Sequence, residues 1–164
     1  MTTREQRIAK FNANRPVYQA VPKAESLART AKDRKLCASL EEAIKRSGLK
    51  DGMTVSFHHA FRAGDFIVNM VMDKIAKMGF KNLTLASSSL IDSHHPIINH
   101  IKNGVVTKIY SSGLRGELAE QISRGLLDEP VNIHSHGGRV HLVKSGELKI
   151  DVAFLGVPCC DKFG

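Results

Sequence analysis

Short apolar segments alternate with amphipathic segments along most of this chain, and that alternation constrains the fold more than any other feature. The longer segments carry apolar residues three and four positions apart, which is the spacing of one helix face. Strands that alternate with helices build βαβ units, and right-handed crossovers place helices on both faces of a parallel sheet. The sequence therefore predicts an α/β domain with a mostly parallel open sheet, and it leaves the strand order open. Strands are predicted at residues 53–57, 83–86, 105–110, 131–133 and 150–156.

Residues typical of helix starts and stops bracket the segments between the predicted strands. Asp33 is a candidate N-cap for the first of these helices, which presents Leu36 and Leu40 on its apolar face. The next helix places Met70 and Val71 among its apolar positions. Helices are predicted at residues 34–47, 65–78, 92–103 and 117–127, with one or two helical turns at 139–144, a short polar helix at 4–14 and an extended segment at 15–31.

The net charge of +8 is concentrated near the start of the chain. Residues 1–50 carry 12 Lys and Arg against 5 Asp and Glu, whereas residues 51–164 carry 12 against 11. We therefore expect a basic N-terminal arm at residues 1–32, followed by a domain at 33–164. Aromatic residues make up only 5% of the chain and no nucleic-acid-binding motif is present, so nucleic-acid binding is not expected. The arm is either a solvated surface or a dock for an acidic partner.

The length of 164 residues suits one domain, and the polar N-terminus lacks the apolar stretch of a secretory signal. No apolar run approaches the roughly 20 residues that a membrane span needs. The three cysteines form no disulfide framework, and the adjacent Cys159 and Cys160 are expected to be small buried residues rather than nucleophiles. These features predict a cytoplasmic protein that does not enter a membrane.

The residues that follow the predicted strands differ in chemistry from those that precede them. In open α/β sheets, ligands bind beyond the carboxyl ends of the strands. At those ends the chain carries hydroxyl, imidazole and guanidinium groups together with glycines, whereas the amino ends are plain turns. The sequence therefore predicts a ligand site at the carboxyl edge of the sheet. The segments that meet there are residues 58–65, 87–89, 111–116, 134–139 and 157–161.

Histidines are frequent in the chain, yet their spacing matches no zinc-binding motif. Adjacent residues on a strand also point to opposite faces, so we expect no bound metal. His94, His95 and His100 fall on a predicted helix and are expected to lie on the surface or to cap a helix. The serines at residues 87–89 have two interpretations: they satisfy backbone groups in a turn, or they contact the ligand.

Two glycine-containing loops indicate what this edge binds. Gly137 and Gly138 precede a predicted helical turn, where backbone N–H groups and the helix dipole favour an anion. Residues 112–116 precede the next predicted helix in the same way, and Arg115 can bind a carboxylate or a phosphate with two hydrogen bonds. Neither loop matches a dinucleotide-binding or P-loop motif. The residues alone predict an α/β domain with an anion-binding edge.

Four stretches of the sequence, in order, resemble the alpha chains of citrate lyases, which are relatives of the family I CoA transferases. The resemblance covers most of residues 33–164 and implies a CoA-transferase-like α/β domain. Residues 58–64 stand where other CoA transferases have a Gly-Gly-x-Gly turn, so we expect this loop to tune the site for citrate. The four stretches are DGMTVSFHHAFR at 51–62, YSSGLRG at 110–116, IHSHGGR at 133–139 and IDVAFLGVP at 150–158.

The resemblance implies a transferase that exchanges acetate for citrate on the thioester of an acyl carrier protein, by way of an anhydride on a glutamate. The implied partners are citrate and the beta and acyl-carrier (gamma) subunits of the lyase. No cofactor is expected to bind directly, since the reacting group is the phosphoribosyl-dephospho-CoA arm of the carrier, with acetyl-CoA as a surrogate. The family's glutamate belongs to the second half of a much longer chain. We therefore expect an N-terminal fragment or a truncated product that holds no catalytic residue.

The candidate contacts for citrate carboxylates or for the carrier arm lie on the loops at the carboxyl edge. A non-catalytic anion-binding module and an assembly scaffold of the lyase complex remain the alternatives to an enzyme fragment. The basic arm is the candidate dock for the carrier protein. The candidate site residues are His58, His59, Arg62, Ser112, Gly113, Arg115, His136, Gly137, Gly138 and Arg139.

Overall fold

The computed structural model describes residues 3–13, 36–58, 66–157 and 159, and the chain divides into two compact units with the boundary between residues 34 and 35. The first unit contains helix α1 (Arg4–Ala13), which confirms the short polar helix predicted there. Thr3 Oγ1 accepts from the Gln6 N–H and Gln6 Oε1 accepts from the Thr3 N–H, so the start of α1 is capped reciprocally. The predicted extended segment at 15–31 lies outside the described residues.

The second unit is built on a parallel sheet of five strands in the order β4-β3-β2-β1-β5. Successive strands step outward from β1 to β4, and the chain then crosses back to place β5 on the other side of β1. Each strand lies where the sequence predicts one, within two residues at either end. The strands are β1 (Thr54–His58), β2 (Leu83–Ser87), β3 (Val106–Ser111), β4 (Asn132–Ile133) and β5 (Val152–Leu155).

Helices connect these strands and cover both faces of the sheet, as predicted. Helix α2 precedes β1, and each later helix occupies one crossover between strands. A short 3-10 turn (Asp92–His94) leads into the second crossover helix. In the described ranges, no helix combines the length and the apolar composition that a membrane-spanning segment requires. The helices are α2 (Leu40–Arg46), α3 (Ile67–Lys77), α4 (Ile97–Lys102), α5 (Gly116–Ser123) and α6 (His136–Ser145).

The start of α2 and the buried face of α3 differ from the prediction. Helix α2 begins at Leu40 rather than at residue 34, because the Ser39 hydroxyl accepts from the Glu42 N–H at 3.1 Å and caps the helix there. Leu36 therefore precedes the helix and is exposed. In α3 the exposed Met70 does not belong to the buried face, which Met72 joins instead. The candidate cap Asp33 lies outside the described residues.

The hydrophobic core lies on one face of the sheet. Successive residues of a strand point to opposite faces, so Val55 and Phe57 of β1 point to the same side. Both belong to one buried cluster with residues of α3, α4 and α5. Phe57 also stacks on Phe154 of β5 at a centroid distance of 5.8 Å. The first three crossover helices thus pack against the core face.

Helix α6 lies on the opposite face, which carries the alternate residues of β1. The crossovers from β1 to β4 all run in one direction along the sheet, whereas the crossover from β4 to β5 runs in the opposite direction. Because every crossover is right-handed, this change of direction places α6 on the other face. The side chain of Arg139 in α6 donates to Ser56 Oγ at 2.7 Å, which confirms this placement. No residue of α6 is fully buried. This helix is therefore attached to the sheet much less firmly than the core helices are.

A carboxylate joins the start of β1 to the segment before β5. Asp151 Oδ2 accepts from the Thr54 N–H at 2.9 Å, and Lys149 Nζ lies 2.8 Å from Asp151 Oδ1. The hydrogen bond from Lys149, and then the one from the Thr54 amide, lower the pKa of Asp151. Because the folded pKa is the lower one, Asp151 stabilises the fold at neutral pH, and this contribution is lost as the pH falls through that folded value.

We expect Asp151→Asn to lower the free energy of unfolding at pH 7 by roughly 0.5–1.5 kcal/mol, and to cost progressively less below about pH 4. Urea unfolding between pH 2.5 and 7 measures this difference. Asp128→Asn, at an exposed position, is the matched control and should change stability by less than about 0.5 kcal/mol. A pH-independent loss in Asp151→Asn would contradict the assignment.

Candidate functional site

A cavity of about 410 Å³ lies between the carboxyl ends of the central strands and α6. Its position agrees with the edge that the sequence predicts for a ligand. Three of its side chains come from the ends of β1, β2 and β3, and the others come from α6. Among the described residues, the lining contains no Asp or Glu. The lining residues are His58, Ser88, Ser112, His136, Arg139, Val140, Val143 and Lys144.

Backbone hydrogen bonds extend beyond the strands and fix the two serines side by side. The Ser88 N–H donates to the Phe57 carbonyl, and the Ser112 N–H donates to the Ser88 carbonyl, each at 3.1 Å. The Ser112 hydroxyl is shielded from solvent and has no hydrogen-bond partner among the described residues. Such a group costs free energy unless a ligand satisfies it.

Arg139 supplies a positive charge that two hydrogen bonds hold at the cavity. Its Nη2 donates to Ser56 Oγ at 2.7 Å and to the Ala86 carbonyl at 3.2 Å. Its Nη1 is shielded from solvent and has no acceptor within the described part of the chain. Burial lowers the pKa of the Arg139 guanidinium, yet arginine stays charged at neutral pH. A carboxylate in the cavity would supply the acceptor that Nη1 lacks.

Helix α6 begins three residues earlier than predicted, and this places His136 in its first turn. The Ser135 hydroxyl accepts from the Gly138 N–H at 2.9 Å and caps the helix. A Cβ at Gly138 would lie 3.2 Å from that hydroxyl oxygen, which explains why a glycine suits this turn. The cap occupies the Gly138 amide, which is therefore not free to bind an anion.

The second glycine-containing loop is shaped by contacts within the chain. Gly113 accepts from the Leu90 N–H at 3.0 Å, and the Arg115 N–H donates to the Leu90 carbonyl at 3.1 Å. At the start of α5, the carboxylate of Asp92 lies against Gly116. The chain therefore places its own anion at this helix start. Arg115 is exposed and lies outside the cavity lining, so its part in binding stays a prediction.

Gly116 has a φ of +65°, and a Cβ there would overlap the Asp92 carboxyl group. Gly125 also has a positive φ, +90°, but a Cβ there would meet open space. We expect Gly116→Ala to destabilise the fold by roughly 2–4 kcal/mol and Gly125→Ala by roughly 1–2 kcal/mol. Denaturant unfolding of the two variants measures this difference. Equal losses of unfolding free energy in the two variants would show that the Asp92 carboxyl group does not exclude a Cβ at Gly116.

Of the ten candidate residues, four line the cavity: His58, Ser112, His136 and Arg139. Gly137 and Gly138 lie in the first turn of α6, and Gly113 follows Ser112 directly. Arg115 lies outside the lining. His59 and Arg62 lie outside the described residues.

Three further lining residues were not predicted from the sequence: Val140, Val143 and Lys144. These positions follow His136 at helical spacing, on one face of α6, and that periodicity is the signal that could have found them. The turn interpretation of the serines at residues 87–89 is confirmed for Ser87, whereas contact of Ser88 with a ligand stays a prediction. Ser87 Oγ donates to the Ser89 carbonyl at 3.1 Å, whereas Ser88 lines the cavity.

The remaining histidines and cysteines differ in part from expectation. His94 Nδ1 accepts from the Ile91 N–H at 2.9 Å, which confirms a capping role, and His95 is exposed as predicted. The surface location predicted for His100 is wrong, because its side chain is buried. His100 Nε2 lies 2.9 Å from Asp73 Oδ1. Cys159 is exposed rather than buried, and Cys160 lies outside the described residues. The described residues include no group of three or more potential metal ligands.

Comparisons with known proteins agree on one family. A family model described as citrate lyase, alpha subunit (CitF), matches residues 33–164. The citrate lyase alpha chain of Haemophilus influenzae is 90% identical over 164 residues, which are 100% of this chain and 33% of that one. The citrate lyase alpha chain of Escherichia coli K12 is 70% identical over 98% of this chain and 32% of its own length. The chain thus spans about a third of the length of the curated relatives it matches.

A solved structure is similar in fold as well as in sequence. It is described as the alpha subunit of citrate lyase from Streptococcus mutans in complex with citrate. The TM-score is 0.76 and the sequence identity is 55%, over 78% of this chain and 25% of that chain.

Proposed function

Because the chain belongs to the citrate lyase alpha-subunit family, we propose that its cavity binds citrate as one wall of an acyl-transfer site. The observation that carries this proposal is the set of basic side chains lining the cavity, His58, His136, Arg139 and Lys144, with no described acidic residue among them. The citrate in the S. mutans structure supports the choice of ligand.

The size of the cavity and the basic side chains in its lining suit a small polycarboxylate. Its volume of about 410 Å³ falls within the range of roughly 300–1,000 Å³ that is usual for small-molecule sites. Arg139 holds a carboxylate through charge-assisted hydrogen bonds, and Ser112 donates to a second oxygen. Lys144 and the two histidines stabilise the remaining negative charge. Val140 and Val143 supply the apolar part of the lining on the α6 side.

The proposed reaction is that of the longer family chains, citrate plus acetyl-carrier thioester giving citryl-carrier thioester plus acetate. A glutamate carboxylate attacks the thioester carbonyl, the C–S bond breaks, and the carrier thiolate leaves. Citrate attacks the glutamyl carbonyl of the resulting anhydride, and acetate leaves. The returning thiolate then attacks the citryl carbonyl, which forms the citryl thioester and releases the glutamate carboxylate. The thiol belongs to the phosphoribosyl-dephospho-CoA arm of the gamma subunit, and the beta subunit would cleave the citryl product. The proposed setting is the cytoplasm.

We assign this chain the binding part of that reaction rather than the nucleophile. No glutamate lines the cavity within the described ranges, and Glu129, for example, pairs with Lys108 at 3.0 Å on the surface. This same observation favours the second candidate function, a module that binds citrate without chemistry.

Calorimetric titration of the chain with citrate tests the proposal, with acetate as the monocarboxylate control. We expect saturable binding of citrate and much weaker binding of acetate, since one carboxylate engages fewer of the basic groups. Absence of citrate binding would overturn the proposed function. Incubation with acetyl-CoA followed by hydroxylamine should yield no glutamyl hydroxamate by mass spectrometry. A hydroxamate would show that this chain carries the nucleophile.

A further inference from the structure

Three short side chains lie side by side on the adjacent strands β2, β1 and β5, on the face of the sheet that carries α6. Ser56 of β1 is in register with Ala86 of β2 on one side and with Ala153 of β5 on the other. Ser56 is 5% exposed. The two alanine side chains end at Cβ and the serine side chain ends at Oγ. This row of small side chains therefore leaves room for the guanidinium of Arg139. The hydrogen bonds of Nη2 to Ser56 Oγ and to the Ala86 carbonyl show that Arg139 occupies it.

These hydrogen bonds fix the plane of the Arg139 guanidinium. Both are made by Nη2, and together they orient the group so that Nη1 stays free of acceptors among the described residues. The attachment matters because no residue of α6 is fully buried, so packing alone holds this helix weakly. A freely rotating arginine would lose side-chain entropy on binding a ligand, whereas a fixed one has lost it on folding.

We propose that Ser56 is a positioning residue, which orients Arg139 toward a carboxylate bound in the cavity. This inference rests on the proposed function for the identity of the ligand. Ser56 lies beneath the cavity and is not among its lining residues, and it acts through Arg139. The chemistry requires a small side chain with an acceptor oxygen, which serine supplies and alanine does not.

Two measurements on the whole chain test this role. The first is the nitrogen–proton NMR spectrum of the Arg139 side chain, in which a fixed guanidinium gives separate terminal N–H signals. The second is the calorimetric affinity for citrate. We expect Ser56→Ala to merge the separate signals and to weaken citrate binding roughly tenfold, and Ser56→Thr to restore both because it keeps the hydroxyl. Thr54→Val is the matched control, since it removes a hydroxyl from a buried residue of β1 on the same face without removing a hydrogen bond to Arg139.

Each outcome decides between the alternatives. Unchanged Arg139 signals in Ser56→Ala, or merged signals with unchanged affinity, would overturn the positioning role. An equal loss of affinity in Thr54→Val would show a general effect on the strand and would also overturn it. If the unaltered chain bound no citrate, the proposed function would fail, and the NMR spectrum and its rescue by threonine would still decide whether Ser56 orients Arg139.

Discussion

Replacing Arg139 by alanine is expected to weaken citrate binding by roughly 10- to 150-fold, which corresponds to one lost charge-assisted interaction of about 1.5–3 kcal/mol. The expectation follows from the fixed position of the guanidinium against Ser56 and Ala86, and from the unsatisfied Nη1 that a carboxylate would complete. Calorimetric titration of the variant measures the loss. Arg139→Lys should recover only part of the affinity, because an ammonium group lacks the planar fork of arginine.

The matched control for this experiment is Arg124→Ala at the end of α5. Its side chain is 73% exposed and lies 3.9 Å from Glu120, so its removal should leave citrate affinity unchanged. Arg115→Ala should have a smaller effect than Arg139→Ala, because Arg115 lies outside the cavity lining. If Arg115→Ala instead weakened citrate binding more than Arg139→Ala, citrate would bind at the start of α5 rather than in the cavity.

Phe57→Ala is expected to destabilise the fold more than any other variant considered, by roughly 3–5 kcal/mol. Phe57 lies on the interior strand β1, is 1% exposed, and stacks on Phe154 of the neighbouring strand β5. Its truncation leaves a cavity among strands and helices that cannot collapse around it. Urea unfolding followed by circular dichroism measures the loss.

Phe66→Ala removes the same number of atoms from a side chain that is 65% exposed, so it controls for the change of residue type. This variant should lie within about 0.5 kcal/mol of the unaltered chain. Similar losses of unfolding free energy in Phe57→Ala and Phe66→Ala would mean that Phe57 is not at the centre of the core.

Local sequence pattern was sufficient to predict which segments form strands, because β-branched and aromatic residues cluster there and glycines separate them. It was insufficient for helix starts. Asp33 and Ser39 are both good N-caps, and only the hydrogen bond between Ser39 and Glu42 selects one of them. Strand order was unpredictable for a different reason: the pairing of β5 with β1 joins segments about a hundred residues apart, and no short-range pattern encodes it.

The candidate site was also predictable from the sequence only in part. The rule that ligands bind at the carboxyl ends of parallel strands correctly brought His58, Ser112, His136 and Arg139 together. The contact between Arg139 and Ser56 joins residues 83 positions apart, and a serine within an apolar strand gives no sign of its partner. Arg115 and Arg139 look equivalent in sequence, since each stands near the start of a helix. The three-dimensional arrangement separates them, because α5 and α6 lie on opposite faces of the sheet.

Helix α6 packs weakly on the sheet, and this affects how its local stability would change when a ligand binds. Segments with few buried contacts open most often in the folded state, so α6 should undergo local unfolding more readily than the strands beneath it. An anion that binds both Arg139 and the strand ends would connect α6 to the sheet. Because it binds only when α6 is folded against the sheet, it would stabilise that state over the locally unfolded one. Ligand binding would then slow amide hydrogen exchange in α6 while leaving β1 and β2 nearly unchanged.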